Sequence, residues 1–243
     1  MNLNSMLYWW PLVKQTEVPM PETHLVETPG VLDWFYQVAV GEDAGDPPGL
    51  SELLGAGAAV GYPCFLRSDI LSGKHEWGHT CFVPSADVMH HHMFSICESH
   101  VMAMMCPPPL AFAVRRLLTP APGFSAFGLF GSLPLPIGRE RRYFVRDGEV
   151  ECHHGYWPEE AIHDADMIDW PVVLARLNHE TSEEVALLTG YAEQLAQCFP
   201  GYWSVDFMAD AEGEWWFIDA ALGEDSWHPE CVLDAKEDPF GDQ

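Results

Sequence analysis

The sequence predicts an α+β fold, with antiparallel strand pairs interleaved with helices in one large domain or in two lobes sharing a cleft. Arg146-Asp147-Gly148 stands between strand-forming runs at 141–145 and 149–153, and Asp-Gly is a strong hairpin-turn signal. Thr181-x-x-Glu184 is a capping-box pattern that opens a helix over 182–198, which Pro200-Gly201 stops. Apolar, aromatic-rich runs at 202–208 and 214–219 flank a short polar segment, giving a second strand pair.

The remaining elements follow in chain order. Residues 1–30 hold a short segment and then an extended stretch punctuated by Pro19, Pro21 and Pro29. Val31 to Val40 is dense in apolar residues, and periodicity leaves helix and strand both open. Residues 41–48 read as a loop and 49–61 as a short helix rich in Ala and Leu. A strand over 62–71 enters a turn at Ser72-Gly73 and a second strand lies near 79–83, which reads as a hairpin. Ser85 is the N-cap candidate of a helix reaching Met105, stopped by Pro107, Pro108 and Pro109. Residues 110–118 form a strand and 120–136 a connection rich in Gly, Pro and Phe. The last stretch is acidic and reads as a frayed tail.

The chain of 243 residues carries 37 acidic and 11 basic side chains, a formal net charge of −26. That balance argues against general nucleic-acid binding, which needs a basic surface to displace phosphate counterions. No apolar run approaches the roughly 20 residues a bilayer span requires, and no charged leader precedes the first apolar residues. The seven cysteines are odd in number and include no C-x-x-C pair, so they read as reduced, mostly buried thiols. A cytoplasmic protein without membrane association is expected.

Three stretches hold polar residues that burial in strands does not explain. In the first, Arg67 and Lys74 flank Ser72-Gly73, where a turn aims backbone N–H groups and an ammonium at phosphate oxygens. The alternative is a solvated hairpin tip. In the second, four of the 11 basic residues crowd into 139–146. Strand alternation puts Arg139 and Arg141 on one face and Glu140 and Arg142 on the other. An anion site and pairing with the acidic excess both remain open there. The third is Asp206 and Asp219, each inside an apolar strand. On adjacent strands they point at one spot and repel unless a cation lies between them, a hard-oxygen set that suits Mg²⁺ coupled to nucleotide phosphates. Alternatively each ends its strand and caps a turn. His90-His91-His92 cannot converge on one ion from a helix, since consecutive side chains lie about 100° apart. They read as a solvated or partly packed helix face.

Taken in order, these motifs resemble the ATP-grasp superfamily. The set comprises the Val18-to-Thr23 lead-in, Arg67-Ser68-Asp69-x-x-Ser72-Gly73-Lys74-His75, a strand with Arg115, Glu140-x-Arg142-x-Phe144-Val145, and the two Asp-bearing strands. The similarity is to compact bacterial and phage ATP-grasp proteins, and more loosely to cell-division-cycle type assembly chaperones. It implies two α+β lobes whose antiparallel sheets grip ATP. Segment 1–60 is then a reduced lead-in, 61–118 the small nucleotide lobe, 119–230 the large metal-bearing lobe and 231–243 the tail.

By the same resemblance, Lys74 and Arg142 are the catalytic residues, acting on phosphates. Arg67, Ser72, Gly73, Arg115, Leu117 and Glu140 join them in binding ATP, with 115–118 at the adenine. Asp206 and Asp219 are the metal ligands for Mg²⁺. Where many members have Glu-x-Asn, this chain has Asp219-Ala220-Ala221, leaving Glu224 or Asp225 as the substitute ligand. The implied activity is an ATP- and Mg²⁺-dependent ligase that activates a small-molecule or peptide carboxylate as an acyl phosphate for an amine or similar nucleophile. The alternatives are an ATP-binding assembly factor that holds a protein partner, and an inactive scaffold.

Overall fold

A computed structural model describes residues 2–103, 107–121, 123–128 and 133–228. Cys106, Cys231 and the acidic tail lie outside them. Two four-stranded antiparallel sheets and one small hairpin organise the chain.

The first sheet has the order β1-β4-β2-β3, with β1 Thr23–Glu27, β2 Cys64–Ser68, β3 Phe82–Val83 and β4 Ala111–Arg116. Helices α2 (Val31–Ala39), α3 (Leu50–Val60) and α4 (Met89–Met102) close a core around Phe35, Leu53, Leu66, Met89, Ile96 and Phe112. Segment 31–40, left open by periodicity, is thus a helix. It buries Val31, Trp34 and Phe35, the i, i+3, i+4 stripe that tertiary packing rewards.

The second sheet has the order β10-β9-β7-β8, from β7 (Glu140–Arg146), β8 (Glu149–Gly155), β9 (Tyr202–Ala209) and β10 (Trp215–Leu222). The expected turn joins β7 to β8, and Asp147 (φ 48°) and Gly148 (φ 96°) both take the left-handed conformation that two-residue hairpins demand. One face of this sheet (Tyr143, Val145, Val205, Phe207, Phe217) packs on α6 (Ser182–Ala196) and on α1 (Met6–Val13). Thr181 caps α6 by accepting from the Glu184 N–H at 3.2 Å. The Glu184 carboxylate does not reach back as a capping box would; it pairs with Arg139 and Arg141.

Helix α1 was not expected, nor were α5 (Trp170–Leu177) and the hairpin of β5 (Phe124–Ala126) with β6 (Leu135–Ile137) inside the Gly/Pro-rich connection. Those two short strands and α5 share a third core with Trp77 and Trp157. The first 60 residues divide between the layers: α1 joins the second sheet's core, while β1, α2 and α3 build the first. Among the described residues no helix is long and apolar enough to cross a membrane.

Candidate functional site: a cationic cleft between the sheets

Strand alternation gives the second sheet two unlike faces. Its inner face is apolar except for Arg141, which pairs with Glu184 of α6; its outer face carries Glu140, Arg142, Asp206 and Asp219. Asp206 sits opposite Arg142 on one side and opposite Asp219 on the other. The second pairing requires a β-bulge between Phe217 and Asp219 in β10. With regular pairing from Phe217 opposite Phe207, Ile218 would face Asp206 and Asp219 would turn into the core.

The Asp-bearing face meets β2 and β4 of the first sheet across a half-open cleft. It is lined by apolar side chains, among them Phe65, Trp77, Leu117, Leu135 and Met208, and by the polar Arg67, Ser72, Lys74, Arg115, Glu140 and Asp219. Lys74 arrives there by a route the sequence reading missed. Strands β2 and β3 pair antiparallel as expected, but their connection, 69–81, is longer than a tight turn and folds into a 3-10 turn at Lys74–Glu76, preceded by Gly73 at φ 65°. The Thr80 hydroxyl donates to the Gly73 carbonyl at 2.7 Å and the Cys81 thiol to the Ser72 carbonyl at 2.6 Å, fixing the turn. Beyond β3, His92 of α4 turns inward, its Nδ1 2.9 Å from the Thr80 carbonyl, so the histidine triplet is not wholly on the solvated face.

Each cation here has a distinct environment. The Lys74 ammonium lies 2.9 Å from Glu140 Oε2, and Glu140 Oε1 accepts from Trp157 Nε1 at 3.0 Å. Burial alone would push the Lys74 pKa down, but Glu140 and Tyr156 together raise it. Arg142 holds Asp206 through two parallel bonds of 2.8 Å, Nε to Oδ1 and Nη2 to Oδ2. Burial would lower that guanidinium as well, and the Asp206 carboxylate more than reverses it. The Tyr156 ring lies between these cations, 4.7 Å from Lys74 Nζ and 4.7 Å from the Arg142 guanidinium carbon. Arg67 Nη1 sits 2.7 Å from Asp219 Oδ1, joining the two sheets.

Neither a family model nor a curated relative matches the chain. Solved structures do. C-terminally truncated Cdc123 from Schizosaccharomyces pombe superposes with a TM-score of 0.56 at 11% identity, over 90% of this chain and 82% of that one. A biotin carboxylase–β,γ-ATP complex from Campylobacter jejuni gives 0.54 at 10% identity, over 92% and 41%. N5-carboxyaminoimidazole synthase from Aspergillus clavatus, in complex with ADP and 5-aminoimidazole ribonucleotide, gives 0.51 at 11%, over 90% and 44%. The chain has the ATP-grasp fold. It spans less than half the length of the carboxylase and of the synthase.

The cleft gathers most of the residues singled out from sequence. Arg67, Ser72, Lys74, Arg115, Leu117, Glu140 and Asp219 line it directly, and Arg142 with Asp206 adjoins Asp219 on the same sheet face. Gly73 contributes its backbone to the Lys74 turn. The whole 115–118 segment lines the cleft, with Arg115 3% exposed beside Arg67 and Asp219. Glu224 is elsewhere. It lies in a separate groove with Leu3, Arg146 and Tyr202. Tyr156 and Trp157 went unnoticed in the sequence, although an aromatic pair placed directly after a hairpin strand and before Pro158 was the available signal.

The donor set does not present a ready metal site. Asp206 and Asp219 are opposed, yet each is already held by a guanidinium, and the third expected ligand is absent from the cleft. Among the described residues no group of three or more His, Cys, Asp or Glu side chains is placed to hold a metal ion. A polyphosphate suits the same residues better: four of the chain's 11 basic side chains, Arg67, Lys74, Arg115 and Arg116, line the cleft together with apolar residues.

Proposed function

We propose that the cleft binds ATP and that the protein transfers the terminal phosphoryl group to a carboxylate, which an amine or similar nucleophile then attacks. The convergence of Arg67, Lys74 and Arg115 on one cleft, with Arg142 beside Asp206 on the sheet face that closes it, carries this reading. Phosphoryl transfer asks a protein mainly to position its reactants and to neutralise charge. Lys74 and Arg142 would balance the charge that builds on the transferring group, and Phe65, Trp77 and Leu117 would enclose the base. A carboxylate oxygen attacks phosphorus and ADP leaves. The nucleophile then attacks the acyl carbon, expelling phosphate and losing its own proton.

The test is ADP and phosphate release against a panel of carboxylates with and without amines. Release that requires both partners, and that falls at least tenfold in Lys74→Ala, is expected. Release independent of any acceptor, or unchanged in the variant, contradicts the reading. The Cdc123 likeness, which spans 82% of that chain, supports a second reading as an assembly factor. Tight ATP binding with nucleotide-dependent retention of a protein partner, and no turnover with any acceptor, would favour it.

A further inference from the structure

Beyond β10, residues 223–228 cross the outer face of the second sheet. The Ser226 and Ser204 hydroxyls lie 2.6 Å apart, and the Trp227 carbonyl accepts from Arg142 Nη1 at 3.2 Å. The His228 ring stacks on Phe144, with centroids 3.6 Å apart and planes 14° from parallel. That stack sets both ring nitrogens against side chains of the flanking strands. Cys152 of β8, opposite Phe144 in register, has its Sγ 3.0 Å from His228 Nε2, and the Tyr202 hydroxyl of β9 lies 3.1 Å from Nδ1. A neutral imidazole donates from one nitrogen and accepts at the other, so with Nδ1–H given to the Tyr202 oxygen, Nε2 accepts the thiol proton. Among the described cysteines, Cys152 is the one held against an imidazole. Cys64, Cys81 and Cys97 are 0% exposed, and burial pushes their thiols up to about 11, 12 and 12; burial raises Cys198 as well. Cys152 is half-buried on the edge strand of its sheet. The thiolate is the reactive form of cysteine, and a neighbouring imidazole that takes the proton makes it available.

We propose that Cys152 and His228 form a peroxide-reactive thiol site, apart from the cleft, whose oxidation releases residues 223–228 from Arg142. His228 Nε2 takes the thiol proton and the sulfur attacks the terminal oxygen of a hydroperoxide. The O–O bond breaks, and the leaving oxygen takes the proton back from His228. A sulfenic acid and water, or an alcohol, remain; sulfur gives up two electrons and the peroxide gains them. The added oxygen does not fit within the 3.0 Å between Sγ and Nε2. The His228 ring therefore shifts off Phe144 and draws Trp227, one residue back, away from Arg142. Neither step needs a nucleotide.

The experiment treats the full chain with hydrogen peroxide, traps sulfenic acid with dimedone and locates the adduct by peptide mass spectrometry. Cys152 should be trapped at least about tenfold faster than the buried Cys64, Cys81 and Cys97. His228→Phe keeps an aromatic ring over Phe144 and removes the base, so the Cys152 rate should fall about tenfold. Tyr202→Phe deletes only a hydroxyl and should lower the rate by a smaller factor; it serves where the ring replacement disturbs the fold. A ring that merely covered the thiol would, once replaced, leave the rate unchanged or raise it. That result overturns the proposal, as does trapping of Cys152 no faster than of the three buried thiols. Hydrogen exchange reads the release: amides of 223–228 should exchange about tenfold faster after peroxide in the wild type, and not in Cys152→Ser. Unchanged exchange in the oxidised wild type overturns the release.

Discussion

Replacing Arg142 with leucine should unfold the protein more easily than any single contact energy suggests. Asp206 is 4% exposed and receives two charge-assisted bonds of 2.8 Å from that one side chain. Deleting the guanidinium leaves a buried carboxylate facing Asp219 across the β9–β10 pair with its charge uncompensated. Breaking a buried pair from one side costs about 3–5 kcal/mol. At roughly 2–4 °C per kcal/mol for a chain of this size, Tm should fall by about 6–20 °C. The double variant Arg142→Leu/Asp206→Leu should recover most of that loss, because replacing both partners with apolar residues removes the stranded charge. Urea unfolding of the two singles and the double, followed by circular dichroism, measures the cycle. A loss below about 1 kcal/mol in Arg142→Leu would place the pair with exposed ion pairs and refute the buried-pair reasoning.

Three further predictions concern separate parts of the molecule. Thr181→Ala removes the acceptor of the Glu184 N–H at the start of α6 and should cost about 1 kcal/mol in urea unfolding, whereas Thr181→Ser should cost little. His92 and His100 are held below the ordinary histidine value of about 6.5, first by burial, with backbone hydrogen bonds opposing. The unfolded chain therefore binds more protons between their folded values and about 6.5, so stability should be fully present above that pH and fall as pH drops through the window. The urea midpoint across about pH 5–7.5 checks this, and His92→Gln/His100→Gln should flatten the slope. Because both candidate metal-binding carboxylates are already paired, Mg²⁺ alone should leave Tm unchanged; a rise at millimolar Mg²⁺ without nucleotide would show that the carboxylates are available.

The sequence was most legible where a local signal and the tertiary structure agree. Asp147-Gly148 needs two left-handed residues and forms its hairpin; Thr181 needs only its own helix. The cleft residues were legible as types and spacings: scarce cations in an acidic chain and lone carboxylates in apolar strands are costly, so their presence marks a site. What makes them a site was not legible. The bulge that turns Asp219 toward Asp206 depends on cross-strand register, and the 3-10 turn that carries Lys74 depends on Thr80 and Cys81 closing on Gly73 and Ser72. The position of Glu224 was hidden for a similar reason. Proximity in sequence to β10 suggested a ligand, but Gly223–Asp225 forms a 3-10 turn that leaves Glu224 in another groove. Helix α1 escaped because Trp9 and Met6 bury against the second sheet, a partner invisible from eight residues of chain.

Calorimetric titration of ATP into the wild type and Lys74→Ala, each with and without Mg²⁺, tests the shared-cleft claim most directly. Saturable one-to-one binding to the wild type is expected, with a stabilisation of about 2.7 kcal/mol at 100 times Kd and a clear loss of affinity in the variant. Absence of ATP binding at millimolar concentration, or equal affinity in Lys74→Ala, would contradict it.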